Sequence, residues 1–106
     1  MNKEIEFLIN QSEGYNLEFK ESPTDNLAKD ICAFANATGG KILLGVTDTG
    51  IIKGMKTTNK LKSQLHDLAR NMDPPVSISL RSIDNILLIT VLEGTKKPLK
   101  SERKRR

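Results

Sequence analysis

The stretch Asp30–Gly54, DICAFANATGGKILLGVTDTGIIKG, decides the fold, because it joins a buried helix to an apolar strand and a returning chain. The segment Ile42–Val46 is apolar on both faces, which is typical of a strand at the centre of a sheet. Gly39 is suited to the left-handed residue that ends a helix, and Gly50 to the turn after the strand. Residues 51–52 then begin a short returning strand. The stretch therefore predicts a helix, a central strand and a hairpin in immediate succession.

The chain before this stretch predicts one helix, one strand and the start of a second helix. Residues 3–10 place apolar side chains on one helical face, and residues 15–20 alternate as a strand does. Ser22 and Pro23 are suited to the N-cap and the first position of the second helix, which is predicted to end near Ala37. One face of the predicted strand carries Tyr15, Leu17 and Phe19.

After the hairpin, the sequence predicts a third helix and two antiparallel strands. Thr57 or Thr58 is suited to the N-cap of the helix. The apolar face of this helix consists of Leu61, Leu65, Leu68 and Met72. Residues 76–81 and 86–92 have strand patterns, and Asp84-Asn85 is suited to the turn between them. The predicted order is α-β-α-β-β-α-β-β, an α+β fold in which helices pack on a mixed β-sheet.

Length and cysteine content bound the class of protein. The chain has 106 residues, the size of one small domain, and its single cysteine excludes an internal disulfide and a cysteine-rich zinc site. It contains no apolar run long enough for a membrane span and no secretory signal. We therefore expect a cytoplasmic protein without a membrane partner.

The positive charge is concentrated at the C-terminal end. Residues 96–106 carry a net charge of +6, whereas residues 1–95 carry a net charge of −2. We expect a single domain over residues 1–95, followed by a basic, disordered tail over residues 96–106. Such a tail attracts phosphates by counterion release, which makes a nucleic acid the expected partner.

Two segments, Glu13–Ser22 and Asp30–Gly54, together carry a family resemblance. Their motifs are Glu18-Phe19-Lys20, Ala33-Phe34-Ala35-Asn36, Gly39-Gly40, Gly45-Val46-Thr47-Asp48, and the hairpin glycines Gly50 and Gly54. With Lys97-Pro98 further on, the chain over residues 10–99 resembles the Schlafen AlbA-2 domain family. The resemblance implies a nucleic-acid-binding domain, of the kind described as a DNA-binding module of transcriptional regulators.

The chain departs from the family pattern after Lys97-Pro98. The family usually continues into a further strand, whereas this sequence continues into basic residues. A sheet without that strand has an exposed edge, which favours pairing with a second copy. The third hypothesis is therefore a dimerisation or interaction domain that forms a homodimer.

Three acids and one lysine are candidates for catalysis. Glu18 and Lys20 lie on the polar face of their predicted strand, and Asp48 follows the central strand, so their side chains meet if the two strands are neighbours. Carboxylate oxygens are the ligands that Mg²⁺ and Mn²⁺ prefer, and a lysine can stabilise developing charge. The ribonuclease members of the family use a three-acid site, which by resemblance corresponds to Glu13, Glu18 and Asp48. The alternative function is therefore a divalent-metal-dependent endoribonuclease acting on structured, tRNA-like RNA, although each acid also fits an ordinary turn or surface role.

Lysines and arginines outside this group are candidates for contacting nucleic acid. They are Lys41, Lys53, Lys56 and Lys60 in the domain, and Lys96, Lys97, Lys100 and Arg103 in the tail. Because aromatic residues are few, the sequence favours recognition of duplex DNA or structured RNA through phosphates and shape over base stacking.

The segment Ala37-Thr38-Gly39-Gly40-Lys41 invites comparison with an ATP-binding phosphate loop. The first glycine of that pattern is replaced by Ala35, and the residue after the lysine is Ile42 instead of Ser or Thr. The predicted order is also helix, loop and strand, the reverse of a phosphate loop. The sequence therefore argues against an ATP cofactor.

Overall fold

The structure, a computed structural model, describes residues 2–23 and 26–95, and within them it contains three helices and four strands. In chain order these are α1 (Lys3–Gln11), β1 (Leu17–Lys20), α2 (Leu27–Asn36), β2 (Gly40–Leu44), α3 (Asn59–Arg70), β3 (Ile78–Ile83) and β4 (Ile86–Val91). The predicted α+β class and the order of elements are confirmed. The predicted returning strand is reduced to one bridge between Val46 and Ile52.

The four strands form one mixed sheet in the order β1-β2-β4-β3. Strands β1 and β2 are parallel, whereas β4 is antiparallel to both β2 and β3. The central position predicted for β2 is confirmed, since Ile42 and Leu43 point to opposite faces and both are 0% exposed. A strand that is apolar on both faces needs cover on both faces.

Helices cover both faces of the sheet. Helices α2 and α3 pack on one face, where their residues share a core with Ile42 and Leu87. Helix α1 packs on the other face, over a second core that includes Phe19 and Leu43. Because side chains alternate along β1, Leu17 and Phe19 point toward α1, whereas Glu18 and Lys20 point toward α2.

The predicted start of the second helix is wrong. Ser22 and Pro23 are not helical, and α2 begins at Leu27 after Asn26, whose side chain makes no capping bond. The chain must first pass from the end of β1 onto the face of the sheet, where Leu27, only 2% exposed, packs in the core. Packing therefore overrides the local helix-start signal.

The prediction that Tyr15 belongs to the strand and shares a face with Leu17 and Phe19 is also wrong. The Gly14 N–H donates to the Leu17 carbonyl at 3.0 Å, which closes a tight turn at Tyr15 and Asn16. Strand β1 therefore begins two residues later than predicted, and the Tyr15 side chain is 74% exposed.

Other local predictions are confirmed. Thr58 caps α3, with its Oγ1 accepting the Leu61 N–H at 3.1 Å. Gly39 and Gly50 both have left-handed backbone angles, with φ of +85° and +87°. No helix within residues 2–23 and 26–95 is both long enough and apolar enough to span a bilayer. The predicted tail, residues 96–106, lies outside the described residues.

Candidate functional site

The candidate site lies at one end of the sheet, where β1 and β2 both terminate. Because these strands are parallel, their carboxyl ends lie at the same edge. The Lys20 carbonyl accepts the N–H groups of Gly45 at 2.7 Å and Val46 at 3.1 Å, which holds the turn after β2 against the end of β1. A cleft of about 270 Å³ opens there, lined by Phe19, Lys20, Glu21, Ser22 and Asp48.

Lys20 is held in this cleft by Asp30, a residue of α2. Its Nζ lies 2.9 Å from Oδ2 of Asp30, and the two side chains are 18% and 23% exposed. Oδ2 is fully enclosed, and the contact is an ion pair with a short distance but without the alignment of a hydrogen bond. Contact with Asp30 and the charges of Asp30, Glu18 and Asp48 raise the pKa of Lys20, although burial acts in the opposite direction. Lys20 is therefore a cation at neutral pH.

Glu18 lies on the same face of the sheet as Lys20 and close to Asp30. Burial raises the pKa of Glu18, and the neighbouring Asp30 carboxylate raises it further. Glu13 adds a smaller repulsion, while Lys20 favours the charged form. The cluster of Glu18, Lys20 and Asp30 thus holds more negative charge than one ammonium neutralises, and Glu18 retains its proton to a higher pH than an ordinary glutamate.

The sequence did not identify Asp30 as part of this site. An acid in the first turn of a helix is common, because it complements the helix dipole. One signal was available: Asp30 lies three residues after Leu27 and beside Ile31, two positions that face the sheet. Together with the alternation that turns Lys20 toward α2, this spacing places the two charges opposite each other.

Glu13 has a structural role that the sequence did not predict. Its Oε2 accepts the Phe19 N–H at 3.1 Å. That N–H points away from β2, toward the open edge of the sheet, as does the Leu17 carbonyl that accepts the Gly14 N–H. Glu13 therefore covers the outer edge of β1, where an unpaired strand would otherwise be available to another chain.

Asp48 lies at the margin of the cluster. It is an exposed residue of the turn after β2, which is held by a 3.0 Å bond from the Ile51 N–H to Thr47 Oγ1. It lines the cleft, and its charge acts on Lys20. Among residues 2–23 and 26–95, no group of three or more His, Cys, Asp or Glu side chains is arranged to hold a metal ion. The role of Glu13, Glu18 and Asp48 as metal ligands stays a prediction.

The predicted phosphate-contacting lysines are divided between two ends of the sheet. Lys53, 62% exposed, follows β2 and lies 3.9 Å from the carboxylate of Glu21 at the rim of the cleft. Lys56 and Lys60 are exposed before and within the first turn of α3. Lys41 lies at the start of β2, on the face that α1 covers, and is thus separated from Lys53 by the length of that strand. Lys96, Lys97, Lys100 and Arg103 fall outside the described residues.

Comparison with known proteins gives one family and one fold. A family model described as Schlafen, AlbA_2 matches residues 13–106. Among solved structures, the chain is similar to the DIP2311 protein from Corynebacterium diphtheriae, with 16% sequence identity and a TM-score of 0.60. The similarity covers 92% of this chain but 26% of that one, so the chain spans about a quarter of its length. At this identity the likeness shows the fold alone.

Proposed function

The chain belongs to the Schlafen AlbA-2 family, and from that premise we propose that it is a nucleic-acid-binding domain whose cleft contacts phosphate. One observation carries the proposal: two family motifs that are distant in the sequence meet at the cleft. The Glu18-Phe19-Lys20 motif supplies the Lys20 carbonyl, and the motif that begins at Gly45 supplies the N–H groups that bind it. Family residues therefore surround one surface feature.

The lysines in the cleft and at its rim support contact with phosphate, although the cluster of Glu18, Lys20 and Asp30 is itself net negative. Lys20 is a preorganised cation, since Asp30 limits the movement of its side chain before any ligand arrives. Lys53 lies at the rim and Lys56 is exposed in the same connection between β2 and α3. A phosphate can replace part of the carboxylate contacts of these lysines, and contacts of this kind position a protein on nucleic acid.

The finer proposal is that the ligand is duplex DNA and that the domain serves a transcriptional regulator in the cytoplasm. Lys53 at the cleft rim and the exposed Lys56 suit the regularly spaced phosphates of a duplex, which they can contact without reading base edges. Structured RNA offers a similar surface of phosphates. A direct comparison of the two ligands therefore decides between them.

Fluorescence anisotropy with a labelled DNA duplex and with labelled tRNA, over a series of salt concentrations, tests the proposal. We expect a dissociation constant of about micromolar order at low salt that rises steeply with salt. Lys53→Gln should weaken binding, whereas Lys3→Gln, an equal change of charge on the remote helix α1, should have a smaller effect. Absence of binding to both ligands at low salt, or binding that salt does not change, would refute it.

A divalent-metal-dependent endoribonuclease is the second candidate. It is favoured by the carboxylates that act on the Glu18–Lys20 pair, namely Glu13, Asp30 and Asp48. Since the described residues form no group arranged to hold a metal ion, an RNA cleavage assay is needed to test the nuclease hypothesis. Labelled tRNA is incubated with Mn²⁺, with Mg²⁺ or with EDTA, using the wild type, Glu18→Ala and the exposed α1 control Glu6→Ala. Cleavage that needs metal and is lost only in Glu18→Ala supports the nuclease; a gel shift without cleavage supports the binding domain.

The remaining hypothesis is that two copies of the chain form a homodimer. Light scattering of the free protein and of its complex with duplex DNA gives the two masses directly. A mass of two chains in the absence of nucleic acid supports dimerisation, whereas the mass of one chain at all concentrations contradicts it.

A further inference from the structure

Helix α1 covers only part of the sheet face on which it packs. Arg81 of β3 is ion-paired with Glu4 of α1. One row further along the strands, Lys41, Thr90 and Ser79 lie side by side on β2, β4 and β3. We call these three residues the open row. Ser79 is exposed, and Lys41 and Thr90 are half-buried.

The register assigns the open row to the face of α1. Each member lies two positions from a residue that packs against α1 or pairs with it, namely Leu43, Leu88 and Arg81. Adjacent strands are about 4.8 Å apart, so the row extends about 10 Å across the sheet. It presents one ammonium and two hydroxyls. Lys41 makes no ion pair with any residue in the described part of the chain.

The turn next to this row carries an exposed aromatic residue. Tyr15 is 74% exposed and belongs to the turn before β1. The next residue, Asn16, accepts the Lys41 N–H at 2.9 Å through its carbonyl, so the turn lies directly against the start of β2. The exposed residue Tyr15 therefore belongs to a turn that lies against the strand carrying Lys41.

Charge at this end of the sheet indicates the class of ligand. The Leu92 N–H donates to the Ser77 carbonyl, and the Gly94 N–H donates to the Ala35 carbonyl, so the chain leaves β4 at this end. Lys41 supplies a positive charge at this end, without an ion-pair partner among the described residues, and therefore complements an anionic ligand.

We infer that Tyr15 and the open row bind single-stranded nucleic acid, at a surface separate from the cleft of Lys20 and Asp48. An unpaired base stacks on the ring of Tyr15, a backbone phosphate contacts Lys41, and the hydroxyls of Thr90 and Ser79 bond to phosphate or sugar. A duplex would not offer its bases for such stacking. The inference rests on the proposed nucleic-acid-binding function and adds a ligand class and a second surface to it.

The chain contains its own probe for this contact. Tyr15 is the single tyrosine and there is no tryptophan, so tyrosine emission reports on position 15 alone. We expect a short oligothymidylate to quench this emission at low salt, and an abasic oligomer of equal length to leave it largely unchanged. Phosphate contact alone would affect the emission equally in both cases.

Variants measured with a labelled oligothymidylate test the two proposed contacts. Tyr15→Ala should weaken binding by about fivefold or more, which is the usual range for loss of base stacking, and Tyr15→Phe should retain most of the affinity. Phe7→Ala is the matched control, because Phe7 is an exposed aromatic residue, 63% exposed, on α1. Lys41→Gln should weaken binding more than Lys29→Gln, a change of equal charge at an exposed position of α2.

The outcomes separate this inference from the function on which it rests. If the wild type binds neither duplex nor single strand at low salt, the nucleic-acid-binding function fails, and the inference fails with it. If nucleic acid binds but Tyr15→Ala behaves as Phe7→Ala does, or tyrosine emission does not respond to oligothymidylate, the inference alone is overturned. Because Tyr15 is exposed, its substitution should leave the fold intact, which circular dichroism can verify.

Discussion

The ammonium of Lys20 and the carboxylate of Asp30 face each other where β1 meets α2, with 2.9 Å between Nζ and Oδ2. Less than a quarter of either side chain is exposed, so water screens the pair only in part. This contact joins the edge strand of the sheet to the helix that covers it. It also lies where Glu18 and Asp48 act on the same lysine. Stability, pH dependence and ligand binding should therefore all depend on these few charges.

Asp30→Asn should destabilise the protein. The change removes the carboxylate and leaves the largely buried ammonium of Lys20 without its ion-pair partner. We expect a loss of about 1–3 kcal/mol in the free energy of unfolding, below the cost of breaking a fully buried pair, since Glu18 can then ionise and replace Asp30 in part. Urea denaturation at neutral pH measures it.

The matched control is Asp67→Asn, the same substitution in a helix. Asp67 forms an ion pair with Arg70, but their side chains are 59% and 71% exposed. Exposed pairs contribute little, so the change should stay within about 1 kcal/mol. Equal losses of unfolding free energy in the two variants would show that the Lys20–Asp30 pair stabilises the fold no more than an exposed ion pair does.

Glu18→Gln should change how stability depends on pH. The raised pKa of Glu18 means that the folded protein keeps this proton at pH values where the unfolded chain, with its ordinary value near 4.5, has lost it. The stability from this proton is fully present below pH 4.5 and is lost as the pH rises through the folded pKa. The glutamine variant cannot lose a proton, so its stability relative to the wild type should increase over that interval.

Urea midpoints at several pH values from 4 to 7 compare the wild type with Glu18→Gln. The control Glu6→Gln makes the same substitution at an exposed position of α1. If the midpoints of Glu18→Gln and the wild type stay parallel across the series, burial and Asp30 do not control the protonation of Glu18.

Glu13→Ala should destabilise the outer edge of β1. It removes the acceptor of the Phe19 N–H and leaves that edge open, so we expect a loss of about 0.5–1.5 kcal/mol and more self-association. Glu13→Gln keeps a carbonyl oxygen at the same position and should restore most of the stability. Urea denaturation and light scattering give the two readouts. A variant Glu13→Gln that is as unstable as Glu13→Ala would contradict the edge role.

The sequence predicted those features of the fold that depend on local pattern. The central position of β2 was predicted from a run of apolar residues. The start of α3 was predicted from Thr58, whose side chain bonds to the N–H of Leu61, three residues further along the chain. The start of α2 could not be predicted in this way. Ser22 and Pro23 have the residue types of a helix start, but α2 begins only at Leu27, which packs in the core.

The candidate site was predicted in part. Lys20, Glu18 and Asp48 were named from the strand alternation and the family resemblance, on the condition that β1 and β2 are neighbours, and the register shows that they are. Asp30 was missed because its role depends on how α2 lies on the sheet, and no short pattern encodes that. Tyr15 was predicted to lie on the strand face of Leu17 and Phe19 because the alternation was extended back past Leu17, whereas the bond from Gly14 to Leu17 closes a turn there.

Gly39→Ala should be strongly destabilising for reasons unrelated to phosphate binding. Gly39 has a φ of +85°, and an added Cβ would lie 2.7 Å from the Val91 carbonyl oxygen. We expect a loss of at least about 2 kcal/mol in urea denaturation, from backbone strain and displacement of β4. Gly14→Ala is the control, since its Cβ would meet no atom within 4 Å. Similar stabilities for the two variants would contradict the explanation that backbone strain and a steric clash require glycine at position 39.

Glu21→Gln should strengthen the binding of nucleic acid at the cleft. Glu21 lines the cleft and its carboxylate lies 3.9 Å from the ammonium of Lys53. The substitution removes a charge that repels phosphate and releases the lysine from a weak, exposed ion pair. We expect the affinity for duplex DNA to rise by about two- to fivefold at low salt, a gain that corresponds to the usual energy of such a pair. Added salt should reduce the gain, because it screens exposed charges.

The control for Glu21→Gln is Glu6→Gln, which gives the same change in net charge at an exposed position of α1. Anisotropy titrations of both variants at two salt concentrations separate a local effect from a general one. A larger gain for Glu21→Gln places the phosphates at the cleft, since only a nearby ligand responds to that particular carboxylate. Equal gains would mean that nucleic acid responds to net charge alone, and the cleft would then lose its assignment as the binding site.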